Sequence, residues 1–112
     1  MIFLSYAPKD EDKAQILAKH LENNGFKVLT GGRYDNNCDT CVLLFSRETH
    51  KSIIARAGLG AAILNNNPVF ILKIDGENNF NDLVVPVQTL DWFNSNNSKP
   101  LTKLVEEIRN LT

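Results

Sequence analysis

The sequence lacks an excess of charge of either sign and has no long apolar run. Its 12 lysine and arginine residues nearly balance 13 aspartate and glutamate residues, and the net charge of −1 gives no electrostatic reason to expect nucleic acid or an acidic membrane as a partner. The longest apolar runs, such as 42–45 and 69–72, have the length of strands, whereas a bilayer-spanning helix needs about 18 apolar residues. The chain enters an apolar segment at Ile2 without a basic leader. We therefore expect a cytoplasmic protein with no nucleic-acid or membrane partner.

Cysteine is scarce, with only Cys38 and Cys41 in the chain. Their C-x-x-C spacing would suit a redox site at the start of a helix, because a helix N-terminus lowers the pKa of the first thiol. Here the pair leads into an apolar run typical of a buried strand, in which residues three apart point to opposite faces. A zinc site would need two further ligands, and His20 and His50 lie in segments predicted to be helical. We expect two buried thiols and no metal, with a weak metal or redox site as the alternative.

What the chain does contain is an alternation of strand-like and helix-like segments. With 112 residues, of which 43% are hydrophobic and 22% charged, it has room for one globular domain, 1–112. The predicted strands are 2–6, 26–29, 38–45, 69–74 and 84–87, and the predicted helices begin at Asp10, at Arg47 and near Pro100. This pattern predicts an α/β fold, a flavodoxin-like three-layer sandwich with a parallel sheet of about five strands in the order 2-1-3-4-5.

Each predicted helix has an apolar face that should pack on the sheet. The three faces are Ala14, Leu17, Ala18 and Leu21; Ile54, Ala57, Ala61 and Leu64; and Leu101, Leu104, Val105 and Ile108. Gly25 is expected to end the first helix as a C-cap. The link 30–37 is shorter than the dozen or so residues of an ordinary parallel crossover, which indicates either a bare loop or a misplaced second strand.

Ligands of open α/β sheets bind beyond the carboxyl ends of the strands. A phosphoacceptor receiver would need acidic residues after strand one and an aspartate at the end of strand three, and this chain has Ser5, Tyr6 and Ser46 at those places. Gly58 and Gly60 lie inside a predicted helix. The glycines of a dinucleotide-binding fingerprint lie between a strand and a helix, so these two do not indicate such a site. They predict close packing of that helix on the sheet instead.

Residues 2–10, 39–46 and 52–62, the last followed by Pro68 and Val69, resemble segments of Toll/interleukin-1 receptor (TIR) domains of the bacterial and archaeal type. Residues 2–10 are similar to the family's opening strand, which ends in Ser-Tyr and is followed by Lys-Asp. Residues 39–46 are similar to its third strand, which closes on a serine. Residues 52–62, followed by Pro68 and Val69, are similar to the pattern Ser-x-x-x-x-x-Glu-Leu-Gly-x-Ala and then Pro-Val-Ile, which nucleoside deoxyribosyltransferase-like proteins share.

The resemblance implies a signalling or interaction module that lacks the family's NAD glycohydrolase activity. The family's catalytic glutamate falls at Gly58, which has no side chain to act in that chemistry, and the loop after strand two is shortened. The implied partner is a TIR-type or effector protein, or a second copy of this chain. One alternative is an NAD or nucleoside hydrolase that uses Glu48, the nearest substitute carboxylate, or a carboxylate of a partner. The other is a nucleotide-sensing module that binds NAD or a related nucleotide in the strand-end cleft.

We therefore assign no catalytic residue and no resident cofactor. Glu48 is the alternative candidate for a catalytic carboxylate. The candidate ligand-binding residues are Ser5, Tyr6, Lys9, Asp10, Arg33, Ser46 and Arg56. We expect Gly58→Glu to relieve about 0.5–1 kcal/mol of helix penalty if the new side chain reaches the cleft. We also expect an exposed association surface at the loop 30–37 and the pair Trp92-Phe93.

Overall fold

The computed structural model describes residues 1–30, 33–80, 83–84, 86–93 and 97–111. These residues form the strands β1 (Ile2–Ser5), β2 (Val28–Leu29), β3 (Thr40–Phe45), β4 (Val69–Lys73) and β5 (Gln88–Asp91), and the helices α1 (Glu11–Asn23), α2 (Ile53–Leu64) and α3 (Lys99–Asn110). All neighbouring strands are parallel and the order is β2-β1-β3-β4-β5, so the predicted topology is confirmed. Within the described ranges, no helix is long and apolar enough to cross a bilayer.

The centre of the sheet is β3, which is buried at every position. Its side chains alternate between two apolar clusters, with Val42 and Leu44 on one face of the sheet and Leu43 and Phe45 on the other. A strand covered on both faces needs apolar residues at successive positions. The continuous apolar run of the sequence is thus explained by burial on both sides.

The two faces of the sheet are covered unequally. One face carries α1 and α3, and the apolar residues predicted for these two helices are all buried there. The other face carries α2 together with loop residues, among which Tyr34 packs edge-on against the Phe3 ring at 5.2 Å between centroids. In the described part of the link between β2 and β3 there is no helix, so the bare-loop interpretation is confirmed.

The end of α1 follows the predicted cap. Gly25 has a φ of +91°, a left-handed conformation that glycine adopts without steric penalty. Its N–H donates to the carbonyl of Glu22 at 3.0 Å, and the N–H of Phe26 donates to the carbonyl of Leu21 at 3.1 Å. These two bonds satisfy carbonyls that the helix end would otherwise leave unpaired.

The predicted bounds of β1 to β4 differ from the observed ones by one or two residues at an end, whereas α2 and β5 begin four to six residues later than predicted. The helix predicted from Arg47 begins at Ile53, after a 3₁₀ turn, because Ser52 caps it by accepting the N–H of Ala55 at 3.1 Å. The edge strand predicted at 84–87 lies at Gln88–Asp91, and Val85 falls outside the described residues. Proline at position 86 has no N–H for the ladder, whereas Val87 donates to the carbonyl of Val69 at 2.8 Å, and β5 follows from there.

The predicted buried face of α2 is wrong. The residues that α2 buries are Ala55, Leu59 and Ala62, whereas Ile54 is 67% exposed and Leu64 is 86% exposed. The helix is apolar on nearly every side, so its periodicity fits more than one face. Small side chains on the buried face let the helix lie close to the sheet.

The predicted association surface at Trp92 is also wrong. Trp92 is 1% exposed and belongs to the core cluster beneath α3, so it covers the end of the core instead. Phe93 remains 53% exposed, with the Lys73 ammonium 5.7 Å from its ring centroid. Of the predicted pair, only Phe93 is therefore exposed enough to contribute to an association surface.

Both cysteines are free and buried, as predicted. The expectation that they point to opposite faces is wrong, because Cys38 precedes β3 and packs in the same cluster as Cys41. Burial raises the pKa of Cys41 from 9.0 to about 12, and burial also raises the pKa of Cys38. In the ranges that the structure describes, no group of three or more histidine, cysteine or acidic side chains could hold a metal ion.

We predict that Cys41 makes the stability of the fold depend on pH above pH 9. The unfolded chain releases this proton near pH 9.0, whereas the folded protein holds it up to about pH 12. The folded state binds more protons between these values, so the free energy of unfolding should fall there by up to about 1.4 kcal/mol per pH unit. Denaturant titrations between pH 8 and pH 11 under reducing conditions would measure this slope.

Two alanine variants separate the thiol from other groups that titrate at high pH. Cys41→Ala should be less stable but should lose this part of the slope. Val42→Ala, which also leaves a cavity in β3, should keep the slope of the wild type. Equal slopes for the wild type and Cys41→Ala would contradict the prediction.

Candidate functional site

A cavity of about 240 Å³ lies beside the carboxyl end of β1. It opens there because β2 pairs only with Ile2 and Phe3, which leaves the last part of β1 without a neighbour on that side. The lining residues are Phe3, Leu4, Ser5, Tyr6, Pro8, Glu11, Ile54 and Ala55. We call this cavity the strand-end cleft; small-molecule sites in proteins usually measure about 300–1,000 Å³, so it is small for a complete dinucleotide.

The most unusual group in the strand-end cleft is the hydroxyl of Tyr6. The side chain is buried, and its hydroxyl makes no hydrogen bond of ordinary geometry to any residue in the described ranges. Burial, and then the nearby carboxylate of Glu11, raise the pKa of Tyr6 to about 12. Glu11 itself is exposed and accepts a hydrogen bond from the side-chain amide of Gln15 at 3.0 Å. The cleft thus contains an enclosed phenol that stays neutral beside an ionised carboxylate.

Ser5 has a structural partner. Its hydroxyl is buried and donates to the main-chain carbonyl of Ala55 at 2.8 Å, which links β1 to the first turn of α2. The proton of this hydroxyl is therefore already engaged, and the oxygen retains only the capacity to accept.

Gly58 faces the strand that carries Ser5 and Tyr6. A Cβ atom at Gly58 would lie 2.7 Å and 2.9 Å from two carbons of the Phe3 ring and 3.7 Å from the Ser5 hydroxyl oxygen. The predicted close packing is thus confirmed at Gly58, but it is wrong at Gly60, where a Cβ would meet nothing within 4 Å. The condition set for a gain from Gly58→Glu is not met, because the Phe3 ring fills the space through which the new side chain would have to reach the cleft.

Asp10 and Ser46 are brought together at the ends of β1 and β3. The Ser46 hydroxyl donates to an Asp10 carboxylate oxygen at 2.7 Å and accepts the N–H of Glu48 at 3.1 Å. Burial raises the pKa of Asp10, while the hydrogen bond from Ser46 opposes this shift. These contacts join the loop before α1 to the turn after β3. The two side chains thus bond each other and do not face an open ligand position.

Glu48 lies apart from the strand-end cleft. It pairs with Lys9 at 3.7 Å and with Lys51 at 3.9 Å between charged atoms. These residues line a second, wider cavity of about 580 Å³, which shares only Pro8 and Ile54 with the strand-end cleft. The candidate carboxylate therefore pairs with two exposed ammonium groups and does not line the cavity of Ser5 and Tyr6.

The remaining predicted ligands are dispersed. Arg33 and Arg56 are exposed and line neither of these cavities, and the guanidinium of Arg56 donates to the carbonyl of Ser52 at 3.4 Å. Of the seven candidates, only Ser5 and Tyr6 share the strand-end cleft. The residue that sequence reasoning missed is Glu11, which follows the predicted helix start at Asp10 and was not among the candidates. Its spacing of five residues from Tyr6, across the turn at Pro8, is the signal that could have placed it there.

Comparison with known proteins identifies the fold but no family. The chain matches no protein-family model, and no curated protein matches its sequence. Its structure is similar to the solution NMR structure of a de novo designed Rossmann 2x3 fold protein, with a TM-score of 0.59 and 16% sequence identity over 97% of this chain and 87% of that chain. This similarity supports a Rossmann-like α/β fold and says nothing about function.

We predict opposite effects on stability for two alanine substitutions in α2. Gly58→Ala should lower the free energy of unfolding by about 1–3 kcal/mol, because the added methyl group collides with the buried Phe3 ring. Gly60→Ala should raise it by about 0.5–1 kcal/mol, because the position is open and alanine favours the helix. Urea unfolding of the two variants measures both changes, and a gain at Gly58 would show that the Phe3 ring yields freely.

Proposed function

We propose that this chain is a TIR-like interaction module that binds a protein partner and has no NAD glycohydrolase activity of its own. The observation that carries the proposal is the outer face of α2. Ile53, Ile54 and Leu64 are 75%, 67% and 86% exposed, and the only ionisable residue of the helix is Arg56. Exposed apolar surface of this kind often marks a site of association.

The other two helices provide an internal comparison. The outer positions of α1 are mainly polar and include Glu11, Asp12, Gln15, Lys19 and Glu22, and those of α3 include Thr102, Lys103, Glu106 and Arg109. A helix that packs on a sheet and faces water normally has this division. Since α1 and α3 follow the rule, the apolar outer face of α2 is a local feature and not a property of the whole surface.

The arrangement of carboxylates supports the non-enzymatic part of the proposal. Gly58 contributes none, and Glu48 is paired with two lysines in a separate cavity. Glu11 is the acidic residue of the strand-end cleft, and it is exposed and ionised beside the Tyr6 hydroxyl. A positioned carboxylate contributes about 10²–10⁴-fold to glycosidic hydrolysis, and an exposed Glu11 that bonds Gln15 is not held in a fixed catalytic position.

We predict that the wild-type protein releases no nicotinamide from NAD above background. A positioned acid–base group contributes about 10²–10⁴-fold to a rate, so its presence or absence is readily measured by chromatography after prolonged incubation. Glu48→Gln and Glu11→Gln should leave this background unchanged, as should the control Glu22→Gln on the exposed side of α1. Release by the wild type that either of the first two variants abolishes would replace this proposal with the hydrolase alternative.

A nucleotide-sensing module is the second candidate, favoured by the buried Tyr6 hydroxyl that lines the strand-end cleft. This hydroxyl interacts with the exposed Glu11 carboxylate but makes no hydrogen bond of ordinary geometry to a described residue, so it keeps the capacity to bond a ligand. The size of the strand-end cleft suits one nucleoside portion of NAD, whose ribose or base could exchange hydrogen bonds with Tyr6 and Glu11.

We predict that Tyr6→Phe changes the free energy of unfolding by less than about 0.5 kcal/mol, because its hydroxyl makes no hydrogen bond of ordinary geometry and interacts only with the exposed carboxylate of Glu11 among the described residues. The matched control is Tyr34→Phe, which should lower stability by about 1 kcal/mol. Its hydroxyl donates to Asn67 at 2.5 Å and accepts from Asn65 at 3.0 Å.

Calorimetric titration with adenosine, ADP-ribose and NAD tests the sensor candidate on the same two variants. A sensor should bind at least one of these ligands and should lose about tenfold in affinity in Tyr6→Phe but not in Tyr34→Phe. Absence of binding at millimolar ligand would exclude this candidate for these nucleotides.

A further inference from the structure

A wide groove lies between the turn that follows β1 and the start of α2. It is the cavity of about 580 Å³ that contains Glu48, and its apolar lining comes from Ala7, Pro8, Ile53 and Ile54. The two isoleucines are largely exposed, and they belong to a concave surface. We call this cavity the α2 groove. Its shape and its apolar lining suit an apolar side chain inserted from another molecule.

The apolar surface of the α2 groove continues along the outside of α2. At 3.6 residues per turn, Ile53, Ala57 and Leu64 lie within about 40° of one another around the helix axis. Ile54 and Ile63, which are also exposed, border them on opposite sides. We call these five residues the outer stripe. It includes every large exposed apolar residue of α2 and extends over about 17 Å, which is the length of a contact between two short helices.

Positive charge accompanies this apolar surface at the start of α2. Lys9 and Lys51 are exposed and line the α2 groove, and their ammonium groups both pair with the Glu48 carboxylate, at 3.7 Å and 3.9 Å. Arg56 is exposed in the first turn of α2, which itself carries partial positive charge. Glu11 lines the strand-end cleft and not the α2 groove. The start of α2 therefore carries three cations and one carboxylate beside exposed apolar side chains.

A partner that fits this surface supplies apolar side chains together with carboxylates. A second copy does not supply them through the same face, because α2 contains no acidic residue and would bring another Arg56. An acidic lipid surface has the right charge, but it is flat and offers no protruding side chain for the α2 groove. A helix with an apolar stripe flanked by aspartate and glutamate meets both requirements. The small Ala57 and Gly60, on the outside of α2, let such a helix approach closely.

We propose that the outer stripe and the α2 groove bind an acidic amphipathic helix of a different protein, whose carboxylates pair with Lys9, Lys51 and Arg56. This inference rests on the proposed function, because it names the chemistry of the partner that the interaction module binds. The 12 residues of α2 make a helix only about 18 Å long, so the contact is small. Small interfaces are typical of transient complexes, and the dissociation constant should be about 10–100 μM.

Three synthetic peptides of about 18 residues test the proposed charge preference. They share one stripe of leucines, are stapled so that each is helical in solution, and carry glutamate, glutamine or lysine at the flanking positions. Fluorescence anisotropy should show that the glutamate peptide binds at least about tenfold more tightly than the glutamine peptide, and that the lysine peptide does not bind. The affinity of the glutamate peptide should fall about tenfold between about 0.05 M and 0.5 M NaCl, because salt screens exposed charges.

Charge variants locate the binding site. Lys9→Gln combined with Lys51→Gln should weaken binding of the glutamate peptide at least about tenfold, whereas Glu48→Gln should strengthen it about two- to fivefold by removing a like charge. The matched control combines Lys19→Gln and Lys27→Gln, two exposed lysines outside α2 and its groove, and should leave the affinity unchanged. Circular dichroism melting confirms that each variant is folded.

Apolar variants test the other half of the surface. Ile54→Gln and Leu64→Gln should each weaken binding of the glutamate and glutamine peptides by about tenfold, because both peptides bury the same leucine stripe. The matched control is Ile16→Gln on the outside of α1, where the isoleucine is 45% exposed, and it should bind both peptides like the wild type.

Each unfavourable outcome overturns a defined part of the inference. A glutamate peptide that does not bind at about 1 mM, or that binds no better than the glutamine peptide, overturns the acidic partner. Equal losses in the two lysine pairs overturn the α2 groove as the site. Cosedimentation with phosphatidylserine vesicles, without binding of any peptide, would replace the protein partner with a lipid surface. Nicotinamide release, by contrast, overturns the proposed function and leaves peptide binding unaffected, so the two failures are distinguishable.

Discussion

The rest of the structure depends on the close contact between α2 and β1 at Gly58. The absence of a side chain lets the Phe3 ring occupy the space that any other residue would fill. This contact, together with the hydrogen bond from Ser5 to Ala55, fixes how α2 is rotated on the sheet. Ala55, Leu59 and Ala62 consequently face inward, and Ile54 and Leu64 are left in water.

The same contact determines the chemistry at the end of β1. The Phe3 ring, held against Gly58, makes one wall of the strand-end cleft apolar. The polar side chains that line it are Ser5, at the end of β1, and Tyr6 and Glu11, on either side of the turn at Pro8. The exposed apolar residues of α2 and the apolar wall of the strand-end cleft therefore have one structural origin.

The fold was largely predictable because its strongest signals are local. The apolar run of β3 and the amphipathic patterns of α1 and α3 each allow one arrangement, and the parallel topology follows from their alternation. The face of α2 was not predictable, because an apolar helix with small residues fits the sheet in more than one rotation. The position of β5 depended on hydrogen bonds to β4, which periodicity does not report.

The candidate site was predictable only in part, for a similar reason. Ser5 and Tyr6 follow a strand, so their place at its carboxyl end could be inferred from the sequence. The proximity of Glu11 to Tyr6 arises from the reversal of the chain after Pro8, and the pairing of Asp10 with Ser46 joins residues 36 positions apart. Contacts of this kind depend on tertiary packing, which a single sequence does not encode in any short motif.

The layer formed by α1 and α3 has a consequence for how the protein reaches its folded state. The two helices come from opposite ends of the described chain, and the guanidinium of Arg109 donates to the carbonyl of Asn24 at 2.9 Å. While the chain is being synthesised, the sheet face beneath α3 stays uncovered until residues beyond Lys99 have left the ribosome. Closing the core therefore requires distant parts of the sequence to meet. Contacts of such long sequence separation are typical of proteins that fold slowly.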